Sequence, residues 1–234
     1  MKLPISARLL ACCGFVHPND RVADIGCDHG YLPIYLLRSG IARSVIASDV
    51  REKPLLTAVR NAEKYGVRDR MEFYLSDGAS QIPRDFDVLV CAGMGADTMI
   101  SILSAAPWLR EPSYRLILQC QSKTPTLRKF LSDTGWQIAR ESALRDGRFL
   151  YTVMEVLWAP DAPRLTVMER YFPLALLAGP SGALPAYYRW VRRGLEISVE
   201  RRGASADPEQ RSALAELTAL ARAPELTYLM EGSE

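Results

Sequence analysis

No apolar run in this 234-residue chain approaches the ~20 residues that cross a bilayer, so nothing in it reads as a membrane-spanning helix. The amino terminus carries one early lysine, Lys2, and lacks a long apolar core before a small-residue cleavage site, which argues against a secretory signal. A cytoplasmic protein with no membrane partner is therefore expected. Charge of one sign is also missing: the formal net charge is +2. Residues 160–234 hold nine Arg and no Lys against ten Asp plus Glu, and residues 1–159 hold twenty basic and seventeen acidic side chains. Neither part is a strongly basic nucleic-acid binder by sum. The five cysteines, Cys12, Cys13, Cys27, Cys91 and Cys120, are odd in number and show no metal-ligand spacing, so reduced thiols and no metal site are expected. The GxGxxG fingerprint of dinucleotide folds is absent too. Gly26-Cys27-Asp28-His29-Gly30 lacks its middle glycine, which weakens a nicotinamide reading without removing it.

What is present is a strand, a glycine turn and a helix start within Val22 to Pro33. Asp28 stands in that turn, where a pyrophosphate-binding loop places a small residue. A fixed anion there repels phosphate and favours a ligand whose equivalent end is cationic. S-adenosylmethionine, with its sulfonium and ammonium groups, is the adenosine cofactor that fits. A second strand, Ser44 to Ser48, ends in Asp49, about 20 residues beyond the glycines, where this class of fold accepts hydrogen bonds from ribose hydroxyls. A third, Met71 to Leu75, ends in Ser76-Asp77-Gly78, and Asp77 is assigned to the adenine amino group. A fourth, Asp87 to Cys91, runs into Ala92-Gly93-Met94-Gly95, where glycine-permitted backbone borders the crevice. A single carboxylate after a strand equally fits a helix N-cap, and Gly93 and Gly95 equally fit plain turns. Three carboxylates in order, each closing a successive apolar run, carry the argument.

Apolar spacing over Leu55 to Tyr65 and Ile100 to Ala106, a strand over Leu116 to Cys120, and a helix over Thr126 to Thr134 continue the alternation. A hairpin, Trp136 to Leu144 with Phe149 to Leu157 around Asp146-Gly147, closes it. The expected fold is α/β: a Rossmann-like parallel sheet, covered on both faces, with an antiparallel edge. Pro160 and Pro163 mark a composition shift, so the domains are placed at 1–159 and 160–234. In the second, Leu184, Tyr187, Tyr188, Val191 and Leu195 trace one helix face and Leu214, Leu217 and Leu220 another, with Asp207-Pro208 starting the later helix. The pair is expected to pack on Leu165 to Leu177 as a small helical domain. Arg189, Arg192 and Arg193 lie among Tyr187, Tyr188 and Trp190, a mixture suited to RNA contact. A solvated face paired with Glu196 and Glu200 fits the same charges.

Ile5 to Leu9, the DIGCDHGYLP run, Pro54 to Val67, Ser76 to Gly78, Ala92 to Gly95 and Arg115 to Gln119 together resemble the bacterial tRNA (adenine-22-N1)-methyltransferases of the TrmK type. The resemblance covers nearly the whole chain. It implies a class I methyltransferase sheet that binds S-adenosyl-L-methionine, a coiled-coil-like helical domain that helps hold tRNA, and methyl transfer to N1 of a D-loop adenosine. It departs at Ala96 and Asp97, where a further glycine is usual, at Cys120, where proline is common, and at Asp49, often glutamate. The positions expected to hold the cofactor are Asp24, Gly26, Cys27, Asp28, Gly30, Asp49, Val50, Asp77, Gly78, Ala92, Gly93 and Met94. Asp28 and His29 are expected to act on the base. His29 equally fits a residue that only orients the loop. Arg8 fits a cofactor carboxylate, an RNA phosphate or plain surface. Methyl transfer to another RNA, a protein or a small molecule remains the alternative, and the oligomeric state, a monomer included, is left open.

Overall fold

Val88-Leu89-Val90-Cys91 shows how the sheet is made: Val88 and Val90 enter the core on one face, Leu89 and Cys91 the core on the other. A strand that buries both faces has no polar alternation, which is why these runs are continuously apolar. The computed structural model describes residues 3–177, 182–223, 226 and 229. Within them, helix α1 (Ala7–Cys13) precedes strand β1 (Asp20–Ile25), α2 (Tyr31–Arg38), β2 (Ala42–Asp49), α3 (Glu52–Lys64), β3 (Met71–Leu75) and β4 (Val88–Gly95). Then follow α4 (Ala96–Ala105), β5 (Arg115–Ser122), α5 (Thr124–Asp133), β6 (Trp136–Asp146) and β7 (Phe149–Trp158). The seven strands lie in the order β3-β2-β1-β4-β5-β7-β6, parallel except for β7, which runs antiparallel to both neighbours. The order reverses beside β1, and ligands in such sheets bind at the carboxyl ends of the strands near that point.

β4 runs further than the sequence pattern suggests. The expected strand stops at Cys91, whereas the observed one continues through Gly95, with register shifts against β5 at Ala92/Met94 and Met94/Gly95. Gly93, at φ +82°, supplies the irregularity. The AGMG segment is thus a bulged strand end rather than a loop.

Beyond the sheet lie α6 (Val167–Tyr171), α7 (Leu184–Arg202) and α8 (Pro208–Leu220). Asp207 caps α8 by accepting from the Glu209 amide (3.0 Å), with Pro208 at the first turn. A third core joins these helices to β6: Phe172, Tyr188, Leu195, Ala213 and Leu217 pack with Ala143. Phe172 meets Tyr188 edge to face at 5.5 Å, and the Tyr188 hydroxyl donates to the Leu217 carbonyl at 2.9 Å.

Arg128 of α5 ties this core to the sheet. Its guanidinium is fully buried and donates to Glu141 of β6 (2.5 Å), to the carbonyls of Arg170 (3.0 Å) and Tyr171 (2.9 Å), and to the Tyr187 hydroxyl (3.1 Å). Burial works against its charge. Glu141 and Tyr187 outweigh that penalty, so the group stays protonated well above any physiological pH.

Candidate active site

The turn after β1 is held by the strand beside it. The amides of Gly26 and Cys27 both donate to the Ser48 carbonyl at 2.8 Å, and the Gly30 amide closes the turn on the Cys27 carbonyl at 2.8 Å. Gly26 has φ +72° and lies so near Met94 that a Cβ there would come within 2.3 Å of the Met94 methyl. Asp28 holds φ +49°, an uncommon conformation for a residue with a side chain, and its amide donates to Asp49 Oδ2 at 3.3 Å. Asp49 Oδ1 accepts from the Arg51 amide at 2.9 Å. One carboxylate therefore fixes two loops, and it retains lone pairs for further donors.

These loops enclose a cavity of about 430 Å³ at the carboxyl ends of β1 to β4. Asp24, Gly26, Cys27, Asp28, Asp49, Val50, Asp77, Gly78, Ala92, Gly93 and Met94 all line it. The structure does not bring Gly30 or His29 into that lining. Gly30 caps α2 at φ +72°, where a Cβ would lie 3.0 Å from the Ala58 side chain, so its smallness serves helix packing. The His29 ring is half exposed, stacked on Tyr31 with centroids 5.7 Å apart, and its Nε2 lies 3.8 Å from Asp28 Oδ2. It belongs to the rim.

Four carboxylates, from Asp24, Asp28, Asp49 and Asp77, face this space against two cations, Arg8 and Arg51. Asp24 is the most enclosed. Burial, with Asp49 adding to it, pushes its carboxyl up to about 7. The Cys27 thiol is raised further by burial and by the same carboxylates, so it contributes backbone and bulk rather than a thiolate.

Sequence patterning left Arg8 among several roles. The structure lays it on the cavity wall beside Gly93, where a Cβ would come within 2.6 Å of Arg8 Nη1. Arg8 Nη1 and the Gly93 amide both donate to the buried Gln119 Oε1, at 3.4 and 3.1 Å. Gln119 is legible as part of the apolar strand Leu116 to Cys120 and of the resemblance over Arg115 to Gln119, neither of which assigns its side chain a role. Its side chain fixes the bulged end of β4.

The expected RNA-contacting residues lie apart from this cavity on α7. Arg192 and Arg193 pair with Glu196, at 2.9 and 3.4 Å. Arg189 lies on the same helix. Among the described residues there is no cluster of three or more His, Cys, Asp or Glu that would hold a metal ion, and no helix is long and apolar enough to cross a membrane.

Residues 5–154 match the family model described as a methyltransferase domain. The chain belongs to that family. Among relatives, the tRNA (adenine(22)-N(1))-methyltransferase of Bacillus subtilis is 30% identical over 154 residues, 65% of this chain and 65% of that protein. A Mycoplasma genitalium relative, MG248, is 32% identical over 138 residues, and the matched segment spans 61% of its length. The chain thus matches somewhat under two thirds of these curated relatives. Among solved structures, Streptococcus pneumoniae Sp1610 in complex with S-adenosyl-L-methionine superposes with a TM-score of 0.78 at 29% identity, covering 91% of this chain and 99% of that one. The likeness to that structure therefore extends beyond the matched methyltransferase domain to the C-terminal helices. The fold of Bacillus subtilis TrmK supports this, with a TM-score of 0.75 over 98% of this chain at 24% identity.

Proposed function

We propose that this protein transfers a methyl group from S-adenosyl-L-methionine to N1 of an adenosine in the tRNA D loop, at position 22, in the cytoplasm. The observation that carries the reading is the row of carboxylates closing β1, β2 and β3 around one cavity. Such a site repels phosphate-bridged cofactors and accepts a cationic adenosine ligand. The similarity of sequence and fold to enzymes named for this reaction supports the choice of substrate.

The residues fit that ligand at each end. Asp49, with both oxygens already oriented by backbone amides, has capacity left for the two ribose hydroxyls. Asp77 lies on the wall with its carboxylate available to an amino group, and the absence of side chains at Gly26 and Gly93 lets Met94 and Arg8 pack onto the same wall. Asp24 and Asp28 supply anionic partners for an ammonium. Arg8 supplies a cation for a carboxylate. When bound, the cofactor provides a methyl group made electrophilic by its sulfonium.

The target adenosine has to leave its stack to reach such a site. Its N1 lone pair is the nucleophile and positive charge grows on the ring, so the chain need not remove a proton. The Asp28 carboxylate, 62% exposed at the cavity mouth, is placed to stabilise that charge. His29 at the rim is assigned to the base rather than to the cofactor. Arg189, Arg192 and Arg193 are assigned to RNA phosphates, and residues 160–234 to a helical domain that helps hold tRNA.

Incubation with labelled cofactor and total bacterial tRNA, followed by nucleoside analysis, tests the reading. N1-methyladenosine is expected, and a transcript without adenosine at position 22 should remain unlabelled. Transfer only to protein or small molecules, or none, would sink it.

A further inference from the structure

A second cleft, of about 450 Å³, opens between the tip of the β6–β7 hairpin and α7. Its volume falls in the ~300–1,000 Å³ range of ligand-holding pockets. Two features mark it as something other than loose packing. Of the large apolar side chains that stand exposed among the described residues, the two aromatic ones, Phe149 (52%) and Trp190 (57%), both line this cleft. Exposed aromatic surface collected in one concavity is a sign of a binding face. The second feature is Gly194, in the middle of α7 and on the cleft wall, where a Cβ would meet nothing within 4 Å. Alanine there would favour the helix. No packing demand in the structure accounts for glycine, and its effect is to keep the cleft open.

The charges narrow the occupant. Lys123 and Arg148 are the charged residues on the lining, which includes no Asp or Glu. Arg148 lies over the Phe149 ring at 4.9 Å, and Lys123 Nζ lies 2.6 Å from Asp97. Stacking faces beside cations suit a base and its phosphate. The cleft also adjoins the carboxylate-lined cavity: Gln121 lines it, and the Gln121 amide nitrogen is 3.4 Å from the Cβ position of Gly93. Residues that line the two clefts are thus in contact, which is the arrangement that neighbouring nucleotides of one RNA strand require.

We propose that this cleft receives an unpaired base adjoining the methylated adenosine, stacked against Phe149 and Trp190. The proposal rests on the RNA-methylating reading and assigns a subsite that specifies the substrate. Affinity for tRNA transcript and methyl-transfer kinetics are to be measured for wild type, for Phe149→Ala/Trp190→Ala and for Gly194→Leu. Both positions of the double variant are exposed and Gly194 faces open space, so the fold should survive. Loss of stacking predicts RNA binding weakened about 10- to 100-fold, with cofactor affinity unchanged by calorimetry. Gly194→Leu should weaken RNA binding by filling the cleft. A transcript abasic at the nucleotides flanking the target should bind wild type as weakly as intact RNA binds the double variant. Undiminished RNA affinity in both variants, while wild type methylates tRNA, overturns the subsite and leaves the functional reading standing. So does wild type binding the abasic transcript as tightly as intact RNA. Wild type that transfers no methyl to any RNA, or transfers it to a protein in a manner the variants abolish, overturns both.

Discussion

The cavity at the ends of β1 to β4 and the cleft between the hairpin and α7 enclose about 430 and 450 Å³, yet they are built from opposite materials. The first is made of glycine-shaped backbone and carboxylates that consecutive strands deliver in chain order. The second is made of rings and cations gathered from four distant segments, with no carboxylate on its lining. Size therefore says little about what each takes. Charge and the reach of the backbone separate them: one wall suits a small cation with hydroxyls, the other a flat ring carrying an anion.

The contrast can be broken most severely at its structural link. Arg128 holds Tyr187, a wall residue of the second cleft, and leaves the first cavity alone. Arg128→Met strands the Glu141 carboxylate in the core and should cost about 3–5 kcal/mol, read by denaturant unfolding. Arg128→Met/Glu141→Leu should recover most of that loss. In both proteins the second cleft should be the more perturbed, so RNA affinity should fall further than cofactor affinity.

A smaller and reversed effect is expected at Asp49. Replacement by Asn leaves an acceptor but removes charge-assisted bonds worth about 1.5–3 kcal/mol, so cofactor affinity by calorimetry should drop about 10- to 100-fold. RNA binding should be little changed. Equal losses at both sites would mean that the two clefts are not separable.

Asp24 sharpens the contrast through pH. Its carboxyl titrates at about 7 in the folded chain against an ordinary 3.8, so between those values the folded chain holds a proton that the unfolded chain has released. Stability contributed at this position is therefore greatest at the acidic end of that window, and falls as pH rises through 7. Asp24→Asn should flatten the fall in Tm of the ligand-free protein between pH 5 and 8. It should also weaken cofactor binding at pH 8, where the wild-type carboxylate is charged. A Tm profile that Asp24→Asn leaves unchanged would remove this carboxyl from the account.

The mildest change is expected on α7. Arg193→Ala should weaken tRNA binding only a few-fold and lower the slope of its salt dependence by about 1, with cofactor binding intact. The Arg193–Glu196 pair is largely exposed on the arginine side, so stability should move by less than about 1 kcal/mol.

The sheet was legible because the central strands bury both faces, the edge strand β3 alternates, and glycine or Asp punctuates the turns after β1, β2 and β3. Val22 to Ile25, Met71 to Leu75 and Leu116 to Cys120 all lie inside observed strands. The first cavity was legible for a related reason: a parallel sheet places residues that follow strands at one edge, so order in sequence becomes proximity in space. Where that rule fails, so does the reading. Gly30 and His29 sit in the same motif, yet a helix start turns them away from the cavity lining. Arg8 reaches Gly93 from a helix that precedes the sheet, and no spacing reports such an approach. The end of β4 differs from the sequence pattern because a bulge lets a strand continue through glycines that read as a turn. The second cleft left no trace in periodicity, since Phe149 reads as a strand residue and Trp190 as a helix residue until tertiary packing brings both to the lining of one cleft.

The guanidinium buried beneath α6 and α7 also bears on how such proteins diversify. A recombination that exchanged everything after β7 for an unrelated helical segment would have to bring two well-placed carbonyls and a hydroxyl, or leave a permanent cation unsolvated in the interior. Descent by wholesale swapping of the tail is thereby discouraged, and change has to accumulate instead on the outward faces of the helices.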